Sequence, residues 1–195
     1  QAAVVACNTA SAVALDVVEE ISQLKNSFPV FGVIEAGSRA VLKGQGKRIV
    51  ILGTQGTVRS QAYLQMLKKL GTTKPIAQKA CPLFVPLVEE NMLHGPATEW
   101  IVNHYLKDFI LEGDDVVLGC THYPFLRDVL EKQFPQASFY DAGAALKELG
   151  SFGANDSEKN KIHFLFSDDS VSSMSLSDLL LKCGILDVEW SQLRL

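Results

Sequence analysis

Apolar residues fall along this chain in short runs that alternate with stretches of helical spacing, as when each strand is followed by a helix. Val4 to Ala6 reads as a first strand. The positions after it place Val13, Val17, Val18, Ile21 and Leu24 on one face of a helix that Ser11 would cap. Pro29 marks a break, and Val30 to Glu35 reads as a strand or a crossing between domains. An exposed turn from Gly44 to Arg48 leads into the strand Ile49 to Leu52. The turn Gly53-Thr54-Gln55-Gly56-Thr57 then opens a helix whose apolar face carries Tyr63, Met66, Leu67 and Leu70. Ile76 to Ala80 is a short strand before Cys81-Pro82, and Leu83 to Glu90 a short helix. A longer helix runs from Ala97 to Leu111, with Trp100, Ile101, Tyr105 and Phe109 inward. The run from Asp115 to Leu118 makes a buried strand, Cys120 stands in a tight turn, and Phe125, Leu126, Val129 and Leu130 have helical spacing. Ala137 to Tyr140 is a strand leading into Asp141-Ala142-Gly143 and a short helix. Ser151 to Lys161 is a polar loop, Ile162 to Phe166 a strand, Ser175 to Lys182 a helix ended by Gly184, and Ile185 to Trp190 a closing strand.

Such alternation favours parallel sheets with helices on both faces. The order strand, cysteine, helix occurs twice, at Cys7 and at Cys120. The expected class is therefore α/β, with two similar doubly wound parallel-sheet domains and a site in the cleft between them. Residues 1–32 with 142–195 are expected to form the first domain, and residues 33–141 the second. The first visible strand already carries a thiol, so that domain is expected to be incomplete at its N-terminus.

Composition narrows the function. A chain of 195 residues can bury roughly 70% of its unfolded surface and needs no disulfide or metal staple. A net charge of -4 and a pI near 5.6 argue against non-specific binding to nucleic acid. No apolar run reaches the ~18 residues of a membrane span, and the start does not read as a signal peptide. The cysteines form no CxxC pair, which disfavours zinc and dithiol redox chemistry. The expected location is the cytoplasm, with no membrane partner and no metal.

In an open α/β sheet, ligands collect at the carboxyl ends of the strands. Cys7, Cys120 and the Gly53 to Thr57 turn all fall at such ends, each before a helix whose first N–H groups lack partners and favour an anion. Asn8, Thr9, Thr54, Thr57 and Thr121 add neutral donors there. The Gly53 turn has no P-loop lysine, and Gly46-Lys47 precedes a strand, so the expected ligand is a small carboxylate and not a nucleotide. A free thiol ionises near ~8.5, and a helix N-terminus stabilises its anion by up to ~2 kcal/mol when partly buried. His122 stands two residues from Cys120, where it could exchange the proton. A buried cysteine is often only a small hydrophobe, which is the preferred reading of Cys81 and Cys183. His94 reads as a surface turn residue, His104 as helix packing and His163 as solvent-facing. Glu89-Glu90 alone would be a solvated helix end.

Val5-Ala6-Cys7-Asn8-Thr9-Ala10-Ser11 and Gly119-Cys120-Thr121-His122-Tyr123-Pro124 closely resemble the two signature motifs of glutamate racemases. Gly32-Val33-Ile34-Glu35, Gly53 to Thr57 and the stretch from Ala80 to Glu89 match as well, so the resemblance covers nearly the whole chain. Ser11 and His122 point to the glutamate branch, since the aspartate branch typically carries His and Glu there. The resemblance implies cofactor-independent interconversion of L- and D-glutamate, feeding D-glutamate into peptidoglycan. It implies that Cys7 and Cys120 are acid/base thiols on opposite faces of the substrate Cα. Asn8, Thr9, Thr54, Thr57, Thr121 and His122 match positions around the substrate, with His122 assisting Cys120 and Glu89 a carboxylate near the site. Family members commonly dimerise, which allows for a homodimer. The family's opening strand with its Asp-Ser-Gly motif, and a Tyr-Gly substrate contact after it, have no counterpart here, and Ala36 stands where Pro is usual. Racemisation of aspartate and a silent carboxylate-binding domain are the alternative readings.

Overall fold

The computed structural model describes residues 2–25, 28–143, 162–166 and 188–192, which fall into two units, residues 1–152 and 153–195. In the first unit β1 (Ala3–Val5) pairs in parallel with β2 (Val30–Gly32) across the helix α1 (Asn8–Lys25). The chain then enters α2 (Val33–Leu42), β3 (Arg48–Gly53), α3 (Gln55–Ser60), α4 (Ala62–Lys69) and β4 (Ile76–Ala80). After α5 (Phe84–Glu89) and α6 (Pro96–Leu106) come β5 (Asp114–Gly119), a 3-10 turn (Tyr123–Leu126), α7 (Arg127–Gln133) and β6 (Ser138–Asp141). Strands β3 to β6 form an all-parallel sheet in the order β4-β3-β5-β6. In the second unit β7 (Ile162–Phe166) pairs in parallel with β8 (Val188–Gln192).

The central strands are apolar at successive positions because successive side chains serve opposite layers. On β3, Ile49 and Ile51 pack with Ile34 and Val41 of α2 and with Tyr63 and Leu67 of α4. Val50 and Leu52, on the other face, pack with Phe84, Val102, Leu106 and Leu130 from α5, α6 and α7. The sheet is thus the middle of three layers, and the α/β expectation with parallel sheets is met. Its register aligns Gly53 with Gly119, so Thr54 and Cys120 leave neighbouring strands side by side.

Several expected elements are placed differently. The face of α1 expected inward is outward: Val13, Val17, Ile21 and Leu24 are 48–79% exposed. Asn8, Ser11 and Ser22 are buried instead, because their short side chains let the helix lie close and each makes a hydrogen bond. Ser11 is not a cap, since the helix begins at Asn8. Its hydroxyl donates to the Val5 carbonyl at 2.6 Å and accepts from the Val33 N–H at 3.3 Å, tying β1 to the start of α2. The strand expected over Val30 to Glu35 ends at Gly32 and continues directly as α2, whose buried Val33, Ile34, Gly37, Ser38 and Val41 follow helical spacing. The helix expected after Gly53 is two helices, divided where Gln61 takes a left-handed conformation (φ 58°). The long helix stops at Leu106, and Trp100 is 65% exposed, stacked on exposed His104 at 5.3 Å.

The turn from Gly44 to Arg48 is pinned rather than free, with the Gly46 N–H on buried Asp115 at 2.7 Å and Arg48 paired to buried Asp114. Cys120 leads into the 3-10 turn, which carries Pro124, before α7 begins. The helix expected after Gly143, the loop 151–161, the helix Ser175 to Lys182, Cys183, residues 185–187 and the His163 side chain lie outside the described residues.

Candidate functional site

Two strand ends and one turn converge on the same edge of the first unit. Cys7 ends the link from β1, and its carbonyl accepts the Ser11 N–H at 2.8 Å, the bond that starts α1. The next residue, Asn8, is buried, and its Oδ1 accepts a hydrogen bond from the Tyr63 hydroxyl at 2.7 Å. One residue further, Thr9 Oγ1 lies 2.8 Å from Thr54 Oγ1 and 3.1 Å from Thr57 Oγ1, while Thr54 and Thr57 are themselves 3.1 Å apart. Thr54 also caps α3, accepting the Thr57 N–H at 3.2 Å. This triangle exists because Gly56 has no side chain: a Cβ there would sit 2.9 Å from Thr9 Cγ2. Three hydroxyls in a ring can satisfy one another, or turn a proton outward to an arriving carboxylate.

Cys120 is 7% exposed at the end of β5. Burial pushes its thiol up, and the backbone N–H of His122 pulls it down. A charge on Cys7 raises it, and the Tyr123 N–H and Thr121 hydroxyl lower it; the net direction is up. His122 Nδ1 lies 3.8 Å from the sulfur, and Nε2 lies 3.2 Å from Glu89 Oε1. With Nε2–H donating to Glu89, the Nδ1 lone pair faces the thiol, so carboxylate, imidazole and sulfur form a line along which a proton can move. Glu89, on the outward end of α5, is thereby brought to His122.

A cavity of about 260 Å³ in front of Cys120 is lined by Ala6, Asn8, Val33, Thr121, Asp141 and Ala142 among others. A larger one, about 410 Å³, lies among α1, α2 and α4 against Asp16, Glu19 and Glu35, and no thiol lines it. The smaller is the better candidate, since it joins the Cys120 sulfur to the Asn8 and Thr121 side chains; Cys7, Thr9, Thr54, Thr57 and His122 are not among its lining residues. Cys81 is fully buried without a disulfide, and its thiol is pushed up to about 12 by burial, as suits a structural residue. His94 is exposed. Among the described residues no group of three or more His, Cys, Asp or Glu could hold a metal ion, and no helix is long and apolar enough to cross a membrane.

The sequence reading missed three contributors. Tyr63 looked like one more apolar position of a helix, and its hydroxyl has a partner that only the fold supplies. Tyr123 has its hydroxyl 2.9 Å from the Gly53 carbonyl and 2.8 Å from that of Cys81, joining the ends of β3 and β4 beneath the site. Asp141 lines the cavity while paired to Arg127 at 2.8 Å. Nothing in the spacing of these residues signals such roles.

Comparison with known proteins adds an independent line. A sequence model of the Asp/Glu/Hydantoin racemase family matches residues 1–149. The glutamate racemase of Aquifex aeolicus is 44% identical over 91% of this chain, which spans 68% of that protein. Among solved structures, the glutamate racemase of Campylobacter jejuni superposes with a TM-score of 0.78 at 33% identity, covering 94% of this chain and 74% of that one. The Francisella tularensis glutamate racemase, crystallised with D-glutamate, gives a TM-score of 0.80 at 28% identity, covering 96% and 72%.

Proposed function

Because this chain belongs to the Asp/Glu/Hydantoin racemase family, among its glutamate racemases, we propose that it interconverts L- and D-glutamate with Cys7 and Cys120 as opposed acid and base. The observation that carries the reading is a thiol just beyond the end of each of two parallel strands, with the Thr9, Thr54 and Thr57 hydroxyls gathered at the same edge. The D-glutamate bound to the Francisella relative supports the substrate. The β1–β2 pair on one side and the sheet β3 to β6 on the other support a site between two layers of parallel structure, with residues 33–141 as one domain.

One sulfur, as thiolate, takes the α-proton, and the C–H electron pair stays on Cα, delocalised into the adjacent carboxylate. The other sulfur, as thiol, gives its proton to the opposite face of Cα. Each turnover leaves the two thiols with exchanged protonation states, from which the reverse reaction starts. If each sulfur stands ~3–3.5 Å from Cα, the two are ~7 Å apart, too far for a disulfide at ~2 Å. His122, oriented by Glu89, takes and returns the proton of Cys120. Asn8, Thr9, Thr54, Thr57 and Thr121 hold the substrate carboxylates, and the donors near the α-carboxylate stabilise the charge that grows there. No cofactor is needed for these steps. The D-glutamate formed in the cytoplasm would supply peptidoglycan synthesis.

The test is exchange of the glutamate α-proton with deuterated water, followed by NMR. The chain should exchange it, and Cys7→Ala and Cys120→Ala should each abolish turnover. Racemisation at the unmodified rate in either variant would sink the two-thiol mechanism. Faster exchange with aspartate would move the substrate to that branch, and glutamate binding without any exchange would leave a silent carboxylate-binding domain.

A further inference from the structure

Tyr63 is fully buried on α4 and spans the space between the two thiol-bearing turns. Its hydroxyl donates to Asn8, the neighbour of Cys7, at 2.7 Å. Its ring lies against Gly119, the neighbour of Cys120, where an added Cβ would sit 3.1 Å from Tyr63 Cε2. A Cβ on Gly37 of α2 would sit 2.6 Å from the hydroxyl oxygen itself. Glycines at both places leave just enough room for this side chain. A phenylalanine would fill the same core, so what the hydroxyl adds is its bond to Asn8.

We propose that Tyr63 is a positioning residue that locks the side-chain amide of Asn8, so that its NH2 group is presented to the substrate. The substrate's identity rests on the racemase reading; the lock rests on the hydrogen bond. A side-chain amide has two unlike ends, an accepting carbonyl and a donating NH2. With the Tyr63 hydroxyl donating to the carbonyl, the NH2 is left for the cavity that Asn8 lines with Cys120 and Thr121. The opposite flip would take from the buried hydroxyl proton the acceptor it now uses. Without the hydroxyl both flips are populated, and only one donates to a carboxylate. Apparent affinity then falls with the competent fraction, while substrate once bound reacts as before.

Steady-state kinetics on Tyr63→Phe, Asn8→Ala and their double variant test this, with thermal unfolding to check folding. Tyr63→Phe should raise KM for glutamate about two- to twelvefold, the equivalent of one net hydrogen bond at ~0.5–1.5 kcal/mol, and leave kcat within about twofold. In the Asn8→Ala background it should add nothing further. Gly37→Ala displaces the hydroxyl without removing it and should raise KM in the same direction, which serves where Tyr63→Phe does not fold. A fall in kcat at constant KM, or additive effects of the two substitutions, would show that Tyr63 only fills space. NMR of the Asn8 side-chain NH2 in the free protein separates this idea from the racemase reading. One sharp pair of signals should become two or broaden in Tyr63→Phe and in Gly37→Ala, and unchanged signals overturn the lock. Altered signals in a chain that does not racemise glutamate would refute the racemase reading and leave the lock standing.

Discussion

At Cys120 burial and local hydrogen bonds act in opposite senses on one sulfur, and burial prevails, so the thiol is raised above its ordinary value. A raised thiol is protonated at neutral pH and waits as the acid; it acts as base only when a neighbour takes its proton. His122 is placed for that, with Glu89 fixing which ring nitrogen faces the sulfur. Alkylation by iodoacetamide, followed by mass spectrometry from pH 6 to 11, should give an inflection for Cys120 above the ordinary thiol value. An inflection at or below that value contradicts the burial argument. Cys81, pushed up to about 12 and fully buried, should stay unlabelled over most of the range.

Among elements, the decisive contact is between the starts of α1 and α3. The two helix starts lie 45 or more positions apart along the chain, yet Thr9 of one and Thr54 and Thr57 of the other share a hydroxyl triangle. Gly56 is the position that allows it, for an added methyl would meet Thr9 Cγ2 at 2.9 Å. Gly56→Ala should therefore part the two helix starts by a few tenths of an ångström or more and lower kcat/KM for glutamate about tenfold. Its stability should change by no more than ~1 kcal/mol, since alanine favours the helix by about the amount the contact costs. Unaltered kcat/KM would mean that the triangle does not hold the substrate. The same closeness goes with how α1 sits: a stripe of Asn8, Ser11 and Ser22 faces the fold, and Val13, Val17 and Leu24 face outward.

For the molecule as a whole, the four-stranded sheet carries its chemistry at one end and its anchoring charges at the other. At the amino end of β5, Asp114 is 2% exposed and accepts from Arg48 Nε at 2.9 Å and from the Leu111 N–H at 2.8 Å. Its neighbour Asp115 holds Lys74 at 3.2 Å and the Gly46 N–H. These pairs fix the ends of β3 and β5 and with them the register that aligns Gly53 with Gly119. Arg48→Met strips Asp114 of its cation in a buried place and should cost ~3 kcal/mol of unfolding free energy, measured by urea denaturation. A cost under ~1 kcal/mol would show that water replaces the guanidinium there.

The strand–thiol–helix order, the apolar runs of β3 and β5 and the donors at their ends were legible in the residues, because periodicity and turn chemistry are local properties. The motifs around Cys7 and Cys120 pointed to the family before any coordinate. The inward face of α1 was not legible: hydrophobic spacing cannot tell which face a neighbour will cover, and close approach selected the small polar one. Nor could a sequence show that Ser11 ties β1 to α2, or that Glu89, outward on α5, reaches His122 across the loop. The bond from Tyr63 to Asn8 joins residues 55 positions apart, and only packing of α4 against the sheet brings them together. The residues fixed which groups could do chemistry; the tertiary structure decided which would meet, because hydrogen bonds and burial depend on distance in space and not along the chain.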